Sequence, residues 1–565
     1  MMYRIMLNFA SSVCKARIDM KKTILSVLLS ALLCASASAQ NLTPTVDITN
    51  TYLSNVGDVS KFVPPLKVDD SLTRFDYKFD YSVFDTPYKG AYEFTPYEVV
   101  FNPEREAASR RRFYLNAGAG YSLHPQLDAV WEPVSSERFS LCVHQNLGGY
   151  YGAYRDISTS LGSSPLSVVE GASHDGYDLC ETAGLDGRFS LGSLDGRFGV
   201  DYNGIFTSDA AGEDVFHSAL ARFSLSNRPG SRVGLGGSIL LDFASDKVPH
   251  PFSTKTIGQS GFDVNLTVAP RFGTSFGTFL DVRVKYVSYN GADEFAPSYL
   301  GVALTPRIQF SSSVASIGLG VRVDSAAELG LAPAVDAHLT LVDGALDLYG
   351  SLGGGRQFGS MSEMVRSCHW FSPLYSDALK NGFELSSKIG LRGSLVSRLQ
   401  FDLSGGWMSE KDMALWGVKE VAGSLTPRLG FCDLNYAYAD LKLVWKSPRF
   451  DADGTLNFKK SNLGGTGELF DLPMLAGDFR ATYNWAGRLY LGASVAFSGA
   501  RAARVSGVDL EMQPYVDLGV NARWRLTSRL SLWAQGGNLL NQAIQQVPLH
   551  VESGINFTAG LCLCL

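Results

Sequence analysis

The chain has 565 residues, 45% hydrophobic and only 18% charged, with 58 glycines, 24 tyrosines and 33 phenylalanines. Average domains carry about 25% charged residues, so this composition suits many strands and turns better than many helices. The net charge of -6 comes with no concentrated basic stripe, which argues against a nucleic-acid binder.

In chain order, the first feature is MKKTILSVLLSALLCASASAQ, Met20 to Gln40. Lys21 and Lys22 form a positive n-region, Thr23 to Leu33 an apolar core, and Ala37-Ser38-Ala39 a small-x-small cleavage pattern, which together read as a secretory signal peptide. The core is shorter than the roughly 20 residues of a spanning helix, and Leu33 is too large for the position before a lipidated cysteine at Cys34. Residues 1–19 read as an over-extended start, 1–39 as the removed leader, and Gln40 as the first mature residue. Beyond Gln40 no apolar run is long enough for a membrane helix, so a membrane form of this protein must be a barrel.

Residues 40–111 form an N-terminal arm. RFDYKFDYSVFDTPYKGAYEF alternates Phe75, Tyr77, Phe79 and Tyr81 with Asp76, Lys78, Asp80 and Ser82, so it is extended with an aromatic face. It reads as an additional strand or a periplasmic arm. Arg110, Arg111 and Arg112 read as a solvated or headgroup-contacting anchor at the entry to the next region.

From Arg112 to Leu565 the period is two. FDVNLTVAPRF places Phe262, Val264, Leu266 and Val268 on one side and Asp263, Asn265 and Thr267 on the other. YVDLGVNARWRL does the same with Val516, Leu518, Val520, Ala522 and Trp524 against Asp517, Asn521, Arg523 and Arg525. Tight turns near Leu194-Asp195-Gly196, Asp343-Gly344, Ala486-Gly487 and Thr527-Ser528 alternate with longer stretches. These include Tyr151 to His174, Ser245 to Gln259, Arg356 to Lys380, Ser409 to Thr426, Ala500 to Glu511 and Asn541 to Ser553. Short, long, short, long is the pattern of an outer-membrane barrel, and about 22 strands fit with both ends on the short-turn side. The expectation is an all-β, transmembrane antiparallel β-barrel over 112–565, preceded by a short periplasmic or lumenal arm.

The chain closes on GINFTAGLCLCL. Phe557, Ala559, Leu561, Leu563 and Leu565 share one face, with Thr558, Gly560, Cys562 and Cys564 on the other. An exposed apolar strand end invites aggregation, but in a barrel it pairs with the first strand and meets lipid. It is expected to pair with the segment near Arg112, cysteines inward.

Asn538-Leu539-Leu540-Asn541, a loop, and a last strand begun by Gly554-Ile555-Asn556-Phe557 resemble the C-terminal end of TonB-dependent receptors, especially of Bacteroidetes-type bacteria. Leu472 to Gly499 is in the same style. The resemblance implies a barrel of about 22 strands with a normally plugged lumen, and a last strand carrying the assembly signal, here Phe557, Leu561, Leu563 and Leu565. Two features depart from the family: residues 40–111 are too short for a conventional plug domain, and Leu565 stands where an aromatic is usual. A reduced plug, with Phe75, Tyr77, Phe79 and Tyr81 folded into the lumen, is the sharper reading of the arm.

Chemistry is sparse. Gly353-Gly354-Gly355-Arg356 lacks the Lys-Ser/Thr and helix of a phosphate loop. The eight histidines have no metal spacing, and the cysteines form no CxxC pair. Cys368 and His369 are adjacent and point apart on an extended chain. No catalytic residue, cofactor or metal is expected. The expected function is an outer-membrane receptor or transporter-like barrel of a Gram-negative bacterium, passing or capturing a solute, with His174, Arg356, Trp370 and Tyr375 of the outer loops as substrate-contacting residues. The alternative is a non-transporting assembly partner docking envelope proteins through its arm. Expected partners are outer-membrane lipid, the barrel-assembly machinery, and a surface lipoprotein or a TonB-type energising protein.

Overall fold

A computed structural model describes residues 112–565, apart from 122, 161–163, 210–211, 229–230, 251–252, 274, 292–296, 327, 372–375, 397, 422–423, 464 and 466. The arm residues Phe75, Tyr77, Phe79 and Tyr81, and Tyr375, lie outside the described residues.

The strands in chain order are β1 (Phe113–Tyr121), β2 (Gln126–Ser135), β3 (Phe139–Ile157), β4 (Val168–Leu191), β5 (Leu194–Asp209), β6 (Gly212–Asn227), β7 (Val233–His250) and β8 (Ser253–Phe272). Next come β9 (Phe276–Asn290), β10 (Tyr299–Ser311), β11 (Ala315–Ser325), β12 (Leu329–Val342), β13 (Leu346–Arg356) and a short helix α1 (Met361–Ser367). The remainder are β14 (Phe383–Val396), β15 (Leu399–Val421), β16 (Ser424–Lys446), β17 (Phe450–Ser461), β18 (Leu475–Trp485), β19 (Leu489–Ser498), β20 (Arg501–Val505), β21 (Val508–Met512), β22 (Tyr515–Arg525), β23 (Leu530–Gly537) and β24 (Asn556–Cys564).

All but β20 and β21 form one 22-stranded antiparallel sheet that closes on itself, while β20 and β21 make a separate hairpin. Closure is made by β24 against β1, from Tyr114 opposite Cys564 to Tyr121 opposite Phe557. Beyond that ladder Leu565 N–H donates to the Phe113 carbonyl at 2.8 Å and its own carbonyl accepts from Phe113 N–H at 3.0 Å. In lipid no water satisfies an unpaired strand edge, so this seam removes the penalty an open sheet would carry. The seam also needs glycine. Gly118 faces Gly560 across it, and a Cβ on either would stand 2.5 or 2.6 Å from the Trp533 indole lying over both.

The pleat sorts the two faces. Ile239, Leu241, Phe243, Leu266, Leu280 and Leu304 are exposed on the outside, whereas Asp201, Asp242, Asp263, Lys285 and Asp324 are buried on the inside. The inner wall is laced by cross-strand pairs, with Arg283 2.6 Å from Asp263 and Arg307 2.7 Å from Asp281. Phe557, Leu561 and Leu565 face outward and Cys562 is buried, as the period-two reading placed them. Among the described residues all six cysteines are free.

Several long connections differ from the sequence reading. Ser245 to Gln259 and Ser409 to Thr426 are mostly strand, and β15 and β16 run 23 residues each, about twice what a tilted span requires. Polar side chains on both faces hid this extension, because above the membrane neither face has to be greasy. Replacing Leu561 by Arg should lower stability by roughly 2–4 kcal/mol for a cation on the lipid face, read by urea unfolding in vesicles. Deleting residues 561–565 should leave no heat-modifiable barrel, while Leu565→Phe is tolerated.

Candidate functional site

The connection from β13 to β14 turns, over its described residues 357–371 and 376–382, into the lumen instead of standing above it. Its helix α1 is only 7 residues long, too short to be stable alone, and it is held by packing. Met361, Val365 and Phe371 bury against Ile205, Phe216, Ala244, Ile257, Val287 and Tyr289, from the inward rows of β5 to β9. Polar contacts fix the register. The Ser362 hydroxyl donates to Asp242, Gln259 donates to the Ser362 hydroxyl at 2.7 Å, and Ser362 N–H donates back to Gln259 Oε1 at 3.0 Å. Lys285 Nζ, itself buried, lies 2.8 Å from both the Phe358 carbonyl and Glu363 Oε1. The Tyr299 hydroxyl donates to the Gly359 carbonyl at 2.6 Å.

Between this loop and the wall of β14 to β16 lies a cavity of about 340 Å³, within the size range of small-molecule sites. Met364, Phe383, Met413 and Phe431 give it apolar walls, Glu363, Glu384, Glu410 and Asp412 supply four carboxylates, and Lys380 and Lys411 supply two ammonium groups. Glu384 and Glu410 stand opposite each other in register on β14 and β15, an arrangement that costs stability unless the charge is answered.

A second apolar core closes the long-loop end. Leu166 precedes β4, Val418 and Leu425 lie at the tips of β15 and β16, and Ala503, Leu510 and Met512 belong to the β20–β21 hairpin. They bury together with Val551 of the connection from β23 to β24. Leu166 N–H donates to the Glu511 carbonyl at 2.9 Å, and Gln545 donates to the Leu166 carbonyl at 3.1 Å.

Where the infolded loop meets the β23–β24 connection, an aromatic and histidine cluster joins them to β3 and β4. The Trp370 and His550 rings are 3.7 Å apart, and Tyr154 lies 5.0 Å from His550 and 5.7 Å from Trp370. His174 stacks on Tyr154 at 5.9 Å and contacts Asp156 at 2.6 Å. The Nε2 atoms of His174 and His550 are buried without a hydrogen bond. Burial, then the charge of His174, pushes His550 down to about 3, so its imidazole is neutral. Beside it His369 Nδ1 lies 2.7 Å from Asp178. Burial opposes charge on His369, but Asp178 and Cys180 overcome it and raise it to about 10. Burial first, then Asp178, raises Glu552 to about 7 against the pull of His369. Burial also pushes the Cys368 thiol up to about 11, so it is a poor nucleophile.

Of the residues singled out from sequence, His174 and Trp370 come together through Tyr154 and His550. Arg356 sits elsewhere: its N–H donates to Asp324 at 2.7 Å and its guanidinium to the Asn381 carbonyl at 2.9 Å, bracing the two ends of the infolded loop. Sequence reasoning missed Tyr154, His550, Glu552 and the His369–Asp178 pair. The inward tyrosines of β3, Tyr150 and Tyr154, lie on one alternating row and were the available signal; a contact between positions 370 and 550 had none. His144, Asp186 and Asp201 place possible ligand atoms within 4.8 Å of one another. Arg222 already lies 2.5 Å from Asp201 and 3.4 Å from Asp186, so the group reads as an internal ion-pair network.

No protein-family model and no curated protein sequence matches the chain. Solved structures do match. A variant of the ferric enterobactin receptor PfeA from Pseudomonas aeruginosa superposes with a TM-score of 0.61 at 10% identity, covering 81% of this chain and 80% of that one. The copper transporter OprC gives 0.58 at 14% identity over 81% and 80%. The FrpB iron transporter from Neisseria meningitidis gives 0.62 at 9% identity over 81% of each. The 22-stranded barrel therefore has the fold of TonB-dependent outer-membrane receptors.

Proposed function

We propose that this barrel is a receptor or transporter-like conduit of the Gram-negative outer membrane, in which the chain's own loops, folded into the lumen from the outer side, gate a captured solute. The observation that carries this is residues 357–382, pinned across the inner wall by Ser362, Gln259, Asp242 and Lys285. A scaffold barrel has no need to seat a loop inside its lumen with buried polar contacts, each of which costs desolvation unless matched. The solute is received in the cavity beside the infolded loop, where apolar walls and the Glu384–Glu410 pair favour a body with cationic character. The Trp370–His550 stack then acts as the latch between the two loops that must part for passage.

Replacing residues 358–381 by a short Gly-Ser linker should raise single-channel conductance in planar bilayers severalfold; unchanged conductance rejects the gate. The double substitution Trp370→Ala and His550→Ala should raise the frequency of opening without changing the size of the fully open state.

The latch should also respond to pH. Glu552 has a raised folded-state value, so its contribution is complete below its ordinary carboxylate range and is lost as pH rises to about 7. His369, also raised, loses its contribution only toward about 10, and His550, depressed, opposes docking below its ordinary range. Comparison with Glu552→Gln isolates the glutamate. At pH 8 the variant should protect the amides of 543–553 from hydrogen exchange at least about tenfold better than the parent, and the gap should close by about pH 5.

A further inference from the structure

The lipid-facing side of the barrel is apolar almost everywhere. The outward row of β8 reads Phe262, Val264, Leu266, Val268, and that of β9 reads Leu280, Val282, Val284, Tyr286. One sector breaks this rule. On β3 to β6 the outward rows carry Gln145, Glu181, Tyr202 and His217, on the same face as exposed Val143, Leu185, Val200 and Phe223. Gln145 lies midway between Phe139 and Tyr151, the two aromatic residues of the outward row of β3. Tyr151 stacks on Tyr177 of β4 at 6.0 Å. Glu181 is four residues below Tyr177 along a tilted strand, roughly 10 Å toward the short-turn end.

The polar groups of the sector pair with one another along the wall. Gln145 donates to Glu181 at 3.3 Å, and the Tyr202 hydroxyl lies 2.8 Å from His217 Nδ1 with the two rings stacked. Tyr202 reaches across Gly204, where a Cβ would stand 2.9 Å from its hydroxyl. Among the surrounding outward positions Gly149, Ala183, Ala219 and Ala221 are small, while Leu147 stands opposite Glu181 and Phe206 meets the His217 ring edge-on at 5.5 Å. Among the described residues no cation pairs with Glu181. In the tautomer whose Nδ1 accepts from the Tyr202 hydroxyl, His217 offers its Nε2–H as an outward donor. Beyond these internal contacts the sector offers one acceptor, the remaining lone pairs of the Glu181 carboxylate, and one donor, the Nε2–H of His217 in that tautomer, in a layer where lipid supplies no partner.

We propose that this sector is an intramembrane interface with a second copy of the chain, across a two-fold axis that sets Glu181 of each copy against the partner's His217. A two-fold contact needs a self-complementary patch, and an acceptor and a donor on one outward face make one. Lipid alone would leave the Glu181 carboxylate with only the Gln145 amide, and the His217 ring with only the Tyr202 hydroxyl, as partners, while a partner of a different kind would not need both complementary groups on one patch.

The test uses the full-length protein purified alone and reconstituted in lipid nanodiscs, with mass read by native mass spectrometry. The parent should be a dimer. Glu181→His, which sets histidine against histidine, and His217→Glu, which sets glutamate against glutamate, should each weaken the dimer at least tenfold, and the two combined should restore it. Heat-modifiable migration confirms that each variant is a folded barrel. A monomeric parent, or folded single variants that dimerise as well as the parent, overturns the proposal, as does a folded double variant that remains monomeric.

Discussion

Everything in this molecule depends on the pairing of β24 with β1. A sheet of 22 strands has two edges, and in hydrocarbon each unpaired N–H and C=O costs several kcal/mol, so the chain has no stable membrane form until its last strand meets its first. The contact is long in sequence and short in space: Leu565 is hydrogen-bonded to Phe113. Because the seam is local in space, it is also crowded, which is why Gly118 and Gly560 sit beneath the Trp533 ring. Closure fixes a ring of given circumference, and that circumference leaves a lumen that side chains alone cannot fill.

The second constraint follows from that lumen. Its wall is lined with Asp201, Asp263, Asp281, Arg222, Arg283 and Arg307 in matched pairs, so most of the inside is wettable and needs no cover. On the upper part of β5 to β9 the inward row turns apolar, with Ile205, Phe216, Ile257 and Val287 nearly or fully buried. Residues 357–382 supply that cover. The infolded loop is thus specified twice, by an apolar patch that would otherwise face water and by Lys285, whose buried ammonium is answered by the loop's Phe358 carbonyl and Glu363. Neither half of this match is satisfied without the other, so the loop and the wall specify each other.

The barrel was legible in the sequence because its rule is local. Alternation at Phe262 to Val268 or at Val516 to Trp524 is visible in any ten residues, and the turn residues at Asp343-Gly344 and Ala486-Gly487 mark the short-turn end just as locally. The closing strand was legible for the same reason. The site was less so. His174 and Trp370 could be singled out as polar or aromatic residues of long connections, but the same criterion picked Arg356, whose guanidinium and backbone are spent on Asn381 and Asp324. Residues 357–382 read as an outer loop because a polar stretch between strands carries no sign of direction. Only the apolar spots Met361, Val365 and Phe371, one turn or more apart, hinted at a buried face. The pairing of Trp370 with His550 joins two connections 180 positions apart, and no local pattern encodes that.

The polar sector of β3 to β6 obeys the same logic as the seam, turned to face outward. In both places a polar group in lipid must find a partner, and in both the sequence provides glycine where two surfaces come close: Gly118 and Gly560 at the seam, Gly204 beneath Tyr202. At the seam the partner is the chain's own first strand. Beside Glu181 and His217 every neighbouring strand is already paired on both sides, β3 with β2 and β4, and β5 with β4 and β6. Backbone pairing therefore cannot add to the Gln145–Glu181 and Tyr202–His217 contacts, and a further partner for these side chains can come only from the lipid side. The alternation that makes the barrel thus marks its own exception, since a carboxylate in a row of leucines and phenylalanines stands out only because the row is otherwise so regular.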